Sequence, residues 1–373
     1  MTSKNAIVVG AGIVGLAAAR ALALAGYRVD VFEKSSNAAG ASIRNFGLVW
    51  PVGQLPELYG RAIRSRNAWI DICDRARIWH NNNGSMHLAH EYDEMQVLDE
   101  FYETHHKERN IKLLNRKQVL SLSTAVNKHK LIGGLYSVDE LTIDSRKAIA
   151  MMPAYFAERM DITFHFDAPV TAAETGTVWV GNKKYHCDEL FICSGAEFES
   201  LYPSVYYASA LTKCKLQMMR TVKQPNKFNI GPTLCGGLIL ASYAVFKYCP
   251  SSTALKERVN KQYAEYVKYG IHVMAAQNDE LEITIGDSHE YGLTHDPFDR
   301  ECINKLILEY MSTFLDLPRK VIQQTWNGTY VKMKQGTELI ARPEQGVTIV
   351  NGLGGAGMTL SFGLLEEIVE GKI

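Results

Sequence analysis

The pattern of apolar and polar positions predicts a strand–helix–strand unit at the start of the chain. An apolar run at residues 6–9 meets a glycine-rich turn, and a helix of small residues follows. A second strand covers residues 28–32 and ends on Glu33. A strand, a helix and a second strand in this order are typical of a parallel sheet that is covered by helices.

Three later segments continue this pattern. Residues 161–171, which include Val170, predict a strand that pairs beside the first one. Residues 188–196 predict a buried strand that ends in a small turn. Near the end of the sequence, a strand over residues 347–350 feeds a glycine-rich turn, and a helix is predicted over residues 364–370. These segments complete the predicted sheet.

The middle of the chain mixes helical stretches with short β-like runs. A helix over residues 56–77 has one apolar side. The other predicted helices cover residues 253–269 and 299–314, and the β-like runs cover residues 214–222, 234–245, 271–277 and 281–286. This composition predicts a second, β-rich region.

The first turn, GAGIVG, has the glycine spacing of a dinucleotide-binding fingerprint. Gly10 permits the tight turn, Gly12 lets the backbone approach a pyrophosphate, and Gly15 lets the helix pack close to the strand. The helix begins at Ile13 and Val14, where unpaired N–H groups favour phosphate.

Glu33 ends the second strand, 18 residues beyond Gly15, where it can accept hydrogen bonds from ribose hydroxyls. Lys34 next to it is a further candidate contact. The charge of Glu33 repels a 2′-phosphate and so disfavours NADP. Two alternatives compete with dinucleotide binding: a signal peptide or membrane span, against which the glycines and Arg20 argue, and a strand–helix–strand unit without a ligand.

Two more places bring small residues beside the expected ligand. The loop of residues 37–54 follows Glu33, and its Ala41 and Ser42 are candidate pyrophosphate contacts. Arg44 and Asn45 then point toward the other end of the ligand, although a solvated loop with a salt-bridged Arg44 is the alternative. The remaining candidates lie in the two later small-residue turns: Ser194, Gly195, Gly352, Gly354, Gly355, Gly357, Met358 and Thr359.

The bulk composition fits an enzyme with two domains. The chain has 373 residues, which exceeds the usual size of a single core. Lys and Arg number 40, as do Asp and Glu, so no broad charge favours nucleic acid or an anionic membrane. The seven cysteines are scattered without a CxxC pair, so we predict no metal site, no disulfide framework and a reduced cytoplasmic setting.

The order of these motifs resembles the D-amino acid oxidase/glycine oxidase superfamily of FAD enzymes. The resemblance rests on GAGIVG, Glu33, GASIRNFG, ICSGA and GLGGAGMTLSFG, and it covers essentially the whole chain. The strings RNFGLVWPVGQ, LYSVDELTIDSR, GDSHEYG and WNGTY also resemble one subgroup, which is associated with phosphonate metabolism.

This resemblance implies an α/β fold with a Rossmann-like FAD-binding domain and a β-rich (α+β) substrate domain, as in glycine oxidase. The FAD-binding domain is expected to be discontinuous, over residues 1–85, 145–205 and 326–373. The substrate domain then comprises residues 86–144 and 206–325.

The function implied is FAD-dependent oxidation of a C–N bond in a small amine, with hydride transfer to flavin N5 and hydrolysis of the imine product. An aminophosphonate such as 2-aminoethylphosphonate, or its N-methyl form, is the expected substrate. The alternatives are a small amino acid, an N-methyl amino acid or a 2-hydroxy acid, and a flavin-binding protein without turnover. No catalytic acid or base is required beyond the flavin.

The substrate contacts are expected to differ from those of the amino acid oxidases. The stretch of residues 326–330 contains no Arg, so the resemblance supplies no carboxylate clamp there. Donors for a phosphonate are expected instead from Arg44, Asn45, His289, Tyr291, Thr329 and Tyr330. His289 and Tyr291 lie on the same face of an extended segment, and the alternative for each is a purely structural role.

FAD is expected to bind non-covalently. The Ser42 loop contains no His, and the nearest Cys before the C-terminal turn is Cys302. Oxygen or another acceptor is expected to reoxidise the flavin, with no nucleic acid or integral membrane partner. The sequence leaves the oligomeric state open.

Overall fold

Two large β-sheets organise residues 4–373, the part of the chain that this computed structural model describes. The strands, in chain order, are β1 (Asn5–Val9), β2 (Arg28–Phe32), β3 (Leu48–Val49), β4 (His80–Asn81), β5 (Ser85–Ala89), β6 (Ile111–Asn115), β7 (Gly133–Ser137), β8 (Leu141–Ile143), β9 (Ile162–His165), β10 (Val170–Glu174), β11 (Thr177–Val180), β12 (Lys183–His186), β13 (Glu189–Ile192), β14 (Leu211–Thr221), β15 (Thr233–Cys235), β16 (Met274–Gln277), β17 (Ile283–Gly286), β18 (Glu290–Gly292), β19 (Ile322–Met333), β20 (Leu339–Glu344) and β21 (Val347–Asn351).

The helices lie mainly on the faces of these sheets. In chain order they are α1 (Ile13–Leu24), α2 (Pro56–Ala76), α3 (Tyr92–His105), α4 (Arg116–Leu122), α5 (Ser145–Arg159), α6 (Pro203–Ala208), α7 (Leu238–Ser242), α8 (Ser252–Gln262), α9 (Ala264–Lys268), α10 (Glu301–Phe314) and α11 (Gly357–Val369). Within the described residues, none of the helices combines the length and the apolar character that a membrane span requires.

The six-stranded sheet is a Rossmann-like sheet in the order β20-β21-β13-β1-β2-β9. Its strands run parallel except for β20, which pairs antiparallel at the edge. Helices α1, α2 and α11 pack together on one face, and the small sheet β10-β11-β12 contributes to the core on the other. Burial on both faces explains why β1 is an almost wholly apolar run and why all five residues of β21 are buried.

The nine-stranded sheet forms the β-rich half of the molecule. Its order is β18-β14-β17-β16-β15-β5-β7-β6, and β19 pairs along the other edge of β14. The residues assigned to the FAD-binding domain from 326 onward are therefore divided between the two sheets. Trp326–Met333 lie on β19 in the nine-stranded sheet, whereas β20 and β21 belong to the six-stranded one. The domain limits themselves remain a prediction.

Residues 161–171 do not form one strand beside β1, as the apolar pattern predicts. β9 pairs with β2 instead, and β13 is the strand that lies on the other side of β1. Asp167 has a positive φ of 52°, which turns the chain away, so Val170 begins the separate antiparallel sheet β10-β11-β12. The prediction of a single strand was wrong because the turn at Asp167 interrupts the extended backbone.

Two further predictions from apolar pattern are corrected by the structure. Residues 234–245 are mostly helical, because the chain turns at Gly236 and Gly237 into α7 after the short strand β15. In an apolar run that is buried on all sides, the pattern of apolar and polar residues does not distinguish a helix from a strand. The last helix, α11, begins at Gly357 rather than at residue 364. Its N-terminus therefore lies directly beside the glycine-rich turn.

Candidate active site and cofactor cavity

A cavity of about 1280 Å³ lies between the two large sheets. It is lined by almost every residue that the sequence marks as a candidate: Gly10, Gly12, Ile13, Val14, Glu33, Lys34, Ala41, Ser42, Arg44, Asn45, Val170, Ser194, Gly195, His289, Tyr291, Thr329, Tyr330, Gly352, Gly354, Gly355, Gly357, Met358 and Thr359. Gly15 is the exception, since it lies behind the turn. The fold thus brings segments from both sheets to one continuous space.

The first glycine turn is shaped by close backbone contacts. Gly10 has a φ of 100°, and a Cβ there would lie 2.5 Å from the carbonyl oxygen of Cys193. A Cβ on Gly15 would lie 1.8 Å from the carbonyl oxygen of Gly10. Because no side chain fits at either position, β1 and α1 meet tightly, and the N-terminus of α1 is presented to the cavity.

Polar side chains from two other segments hold this turn in place. The carboxylate of Glu33 is buried and accepts hydrogen bonds from the backbone N–H groups of Ala11 (3.0 Å) and Ser35 (3.1 Å). The Oγ of Ser42 accepts from the N–H of Ile13 (2.9 Å), so its own hydroxyl proton remains available for donation. Both groups lie where a ribose and a pyrophosphate would be recognised.

Bare peptide backbone faces the cavity from three directions. Gly40, Gly195 and Gly355 come from three separate loops, and a Cβ added to any of them meets no heavy atom within 4 Å. The N-terminus of α11 points to the same space, because the helix begins at Gly357. These surfaces fit a dinucleotide, whose phosphates bind helix N-termini and whose flat rings pack against glycine backbone.

The loop after β2 contributes Asn45 and Arg44 to the cavity wall. The amide of Asn45 donates to the carbonyls of Ala41 (3.0 Å) and Ser42 (2.9 Å) and accepts from the N–H of Gly47 (2.7 Å). Asn45 therefore holds the loop in shape, which differs from the direct substrate contact that the sequence predicts. Arg44 donates to the carbonyl of Asn327 (3.1 Å), and among residues 4–373 its guanidinium makes no other hydrogen bond, so its remaining N–H groups can donate to a ligand.

Alternation along β19 selects which of its side chains reach the cavity. Gly328, Tyr330 and Lys332 share one face, since a Cβ on Gly328 would lie 3.1 Å from that of Arg44. Thr329 lies on the opposite face with Asn327, whose amide donates to Asp299 (3.0 Å). Thr329 thus borders the cavity without presenting its side chain.

Lys332 is a cavity residue that the sequence reasoning missed. Its Nζ lies 5.6 Å from the ring centroid of Tyr291. Extending the two-residue period from Gly328 through Tyr330 would have found it.

His289 and Tyr291 lie in the cavity wall together with two residues that the sequence reasoning missed, His272 and Asp287. The imidazoles of His272 and His289 stack with ring centroids 4.4 Å apart and an angle of 13° between their planes. The carboxylate oxygens of Asp287 lie 3.8 Å from the Nε2 atom of each ring. Although no metal site is predicted from the sequence, the nearest ligand-type atoms of these three residues lie within 4.8 Å of one another.

Burial shifts the pKa of each of the ionisable groups at this end that show a change. Burial raises the pKa of Asp287 to about 6, while the charge of His289 acts in the opposite direction. Burial also lowers the pKa of His272 well below its ordinary value. The pKa of Tyr291 is raised to about 12, and that of Tyr330 is raised well above its ordinary value, both mainly by burial. Near neutral pH both tyrosines are therefore hydroxyl donors.

The sequence matches the family model of DAO, the FAD dependent oxidoreductases, over residues 5–370. The chain therefore belongs to this family, is an oxidoreductase, and uses FAD as its cofactor. This confirms the predicted superfamily and cofactor. No curated protein sequence gives a significant match to the chain.

Solved structures share this fold at low sequence identity. Glycine oxidase from Geobacillus kaustophilus is 18% identical, with a TM-score of 0.76 over 99% of this chain and 95% of that chain. L-proline dehydrogenase from P. horikoshii is 18% identical, with a TM-score of 0.79 over 99% and 92%. Iminodiacetate oxidase from Chelativorans sp. BNC1 is 17% identical, with a TM-score of 0.73 over 98% and 95%. The predicted α/β fold of the glycine oxidase type is confirmed.

Proposed function

We propose that this oxidoreductase oxidises the C–N bond of a small amine that carries an anionic group, foremost an aminophosphonate such as 2-aminoethylphosphonate or its N-methyl form. FAD, when bound, accepts a hydride from the carbon next to nitrogen. The glycine turns, Glu33 and Ser42 would hold the cofactor. The protein's part at the other end is to bind the anion, orient the C–H bond and exclude water. Several similar structures, among them glycine oxidase and iminodiacetate oxidase, are of enzymes named for amine or amino acid substrates, which supports such a substrate here.

The observation that carries the aminophosphonate proposal is a combination of cations and hydroxyl groups in the cavity wall. Two of its four lysine and arginine residues, Arg44 and Lys332, line the cavity together with the hydroxyl-bearing rings of Tyr291 and Tyr330, and the other two are Lys34 and Lys247. A phosphonate dianion has two negative charges and three acceptor oxygens, and these match two cations and two hydroxyl donors. A carboxylate has one charge and two oxygens, and it needs fewer partners.

Anaerobic bleaching of the oxidised-flavin band tests the substrate class. The amine candidates are 2-aminoethylphosphonate, its N-methyl form, glycine, sarcosine and D-alanine, with a 2-hydroxy acid as the non-amine candidate. Bleaching by the aminophosphonates alone is expected. Bleaching only by carboxylate substrates would move the assignment to a small amino acid, an N-methyl amino acid or a hydroxy acid. Stable colour with every candidate would favour a flavoprotein without turnover.

Replacing Lys332 by methionine is expected to raise the KM for the aminophosphonate about 10- to 100-fold, because a charge-assisted hydrogen bond contributes about 1.5–3 kcal/mol. FAD content should stay unchanged. Steady-state kinetics measure the effect, and Lys247→Met is the matched control because Lys247 is an exposed lysine of the same cavity. An equal rise of KM in both variants would contradict a specific anion contact at Lys332.

FAD is expected to come away from the protein on acid precipitation, which leaves a yellow supernatant and a colourless pellet. Cys193 lines the cavity, but burial raises the pKa of its thiol to about 12, which disfavours the thiolate needed for covalent attachment. A yellow pellet would contradict non-covalent binding and would direct attention to Cys193 or to a cavity histidine.

The electron acceptor and the location of the protein remain predictions. We propose that oxygen or another oxidant takes electrons from the reduced flavin, and that the protein works in the cytoplasm. Admitting air to bleached enzyme distinguishes the two kinds of acceptor. Colour that returns within a turnover time indicates an oxidase, whereas colour that returns only with an added artificial acceptor indicates a dehydrogenase.

A further inference from the structure

The two stacked histidines of the cavity have fixed tautomers. The Nδ1 atoms of His272 and His289 lie 3.2 Å and 2.9 Å from the same carbonyl oxygen, that of Gly270. A carbonyl oxygen only accepts hydrogen bonds, so both Nδ1 atoms carry the proton. In the neutral rings the lone pair therefore lies on Nε2, and both Nε2 atoms are directed toward Asp287.

This arrangement leaves a gap surrounded by acceptors. The Nε2 of His272 accepts from the hydroxyl of Tyr243 at 3.2 Å. The Nε2 of His289 faces Oδ2 of Asp287 across 3.8 Å, which exceeds hydrogen-bond distance. Within residues 4–373, no side chain donates a hydrogen bond to the Asp287 carboxylate. A buried carboxylate and a lone pair that face each other require a donor or a cation between them.

The geometry favours an ammonium group over a metal ion. The two imidazole planes are nearly parallel and stacked, so an ion between their Nε2 atoms would lie outside both ring planes, away from the lone pairs. The lone pair of His272 is also already taken by Tyr243. An ammonium nitrogen has several N–H donors, and at about 2.8 Å from each acceptor it can reach both Asp287 and His289.

We propose that Asp287 and His289 bind the substrate's ammonium group and that His289 accepts a proton from it. This inference rests on the proposed oxidation of a small amine. One N–H proton moves to Nε2 of His289, and the bonding electron pair stays on the nitrogen. The amine becomes neutral with a free lone pair, and the new imidazolium pairs with the Asp287 carboxylate. Loss of hydride from the carbon next to the nitrogen requires this lone pair.

This assignment separates the cavity into two subsites. Arg44, Lys332, Tyr291 and Tyr330 supply donors and positive charge for the anion. Asp287 and His289 supply acceptors for the amine. His289 was expected from the sequence to donate to the phosphonate. In the neutral ring, however, its only N–H, on Nδ1, donates to the carbonyl oxygen of Gly270. A small zwitterion would therefore bind with its orientation fixed by charge at both ends.

Ligand pairs that differ only in the amine test the subsite on FAD-loaded enzyme. The first pair is 2-amino-2-methylpropylphosphonate and 2,2-dimethylpropylphosphonate, and the second is 2-aminoisobutyrate and pivalate. Neither amine has a hydrogen on the carbon bonded to nitrogen, so binding is measured without turnover, from the shift of the flavin absorption. We expect the amine of at least one pair to bind at least 10-fold more tightly than its isostere.

Asp287→Asn should abolish this preference while leaving the binding of the amine-free ligand within a factor of about 2. Glu290→Gln is the matched control, since Glu290 is the adjacent acid on β18 and does not line the cavity. His289→Gln should slow bleaching by a true substrate about 100-fold or more, with a smaller loss in ligand affinity. FAD content and thermal unfolding confirm that each variant folds.

The outcomes separate this inference from the proposed substrate. A preference confined to the carboxylate pair would overturn the aminophosphonate proposal and support the ammonium subsite. No preference in either pair, or a preference that persists in Asp287→Asn, would overturn the subsite. Visible absorption bands from added Co²⁺ that disappear in Asp287→Asn, with no amine preference, would replace the subsite by a metal site.

Discussion

Replacing Gly355 by leucine is expected to give a folded protein that no longer retains FAD. Gly355 is exposed in the turn before α11 and lines the cavity. A Cβ at this position meets no heavy atom of the protein within 4 Å, so the apoprotein accommodates the side chain without strain. If the cofactor lies against this backbone, the leucine occupies its space. We expect FAD to bind at least 100-fold more weakly, a loss of about 3 kcal/mol.

The measurement is FAD titration of the apoprotein, followed by flavin fluorescence, together with thermal unfolding in the absence of FAD. Gly60→Leu is the matched control, because Gly60 is exposed on α2 and the nearest atom to its added Cβ is Nη1 of Arg64 at 3.8 Å. Both apoproteins should unfold at nearly the same temperature as the parent. Normal FAD affinity in Gly355→Leu would show that the cofactor does not pass the C-terminal turn.

The nucleotide end of the cavity could be predicted from sequence because its requirements are local. Gly10 supplies the positive φ of the first turn, Gly15 allows a close contact within the same strand–turn–helix unit, and Glu33 closes the next strand. The sequence of such a motif therefore also indicates the strand, the turn and the helix that surround it. The start of α11 was placed too late because glycines lower helix propensity, although Gly357 begins the helix. The motif was visible, but its exact boundary was not.

The substrate end could be predicted only in part because it depends on strand pairing. Asp287 belongs to the same alternating face as His289 and Tyr291, so the period of two already pointed to it. His272 comes from a segment that reaches this place only because Met274 pairs with Gly286 in the nine-stranded sheet. The hydrogen bonds of the Asn45 amide to the carbonyls of its own loop likewise do not follow from any periodicity in the sequence.

Removal of Arg220 is expected to have a large effect on stability. Arg220 is a charged residue that is buried on β14. Its Nη1 lies 3.8 Å from Asp144 and 3.5 Å from Glu282, and its Nε donates to Thr284 at 3.2 Å. Arg220→Met leaves two largely buried carboxylates without this cation. We expect the free energy of unfolding to fall by about 3–5 kcal/mol.

Urea unfolding followed by tryptophan fluorescence measures this loss, with Arg146→Met as the matched control. Arg146 stacks over Trp326 at 4.7 Å, close to Arg220, but its partly exposed guanidinium donates to the neutral amide of Gln324. Removing it leaves no buried charge unpaired and should cost less than about 1 kcal/mol. Asp144 also caps α5 by accepting from the N–H groups of Arg146 and Lys147. If Arg220→Met and Arg146→Met shifted the midpoint equally, the buried ion pairs would not be what stabilises this junction.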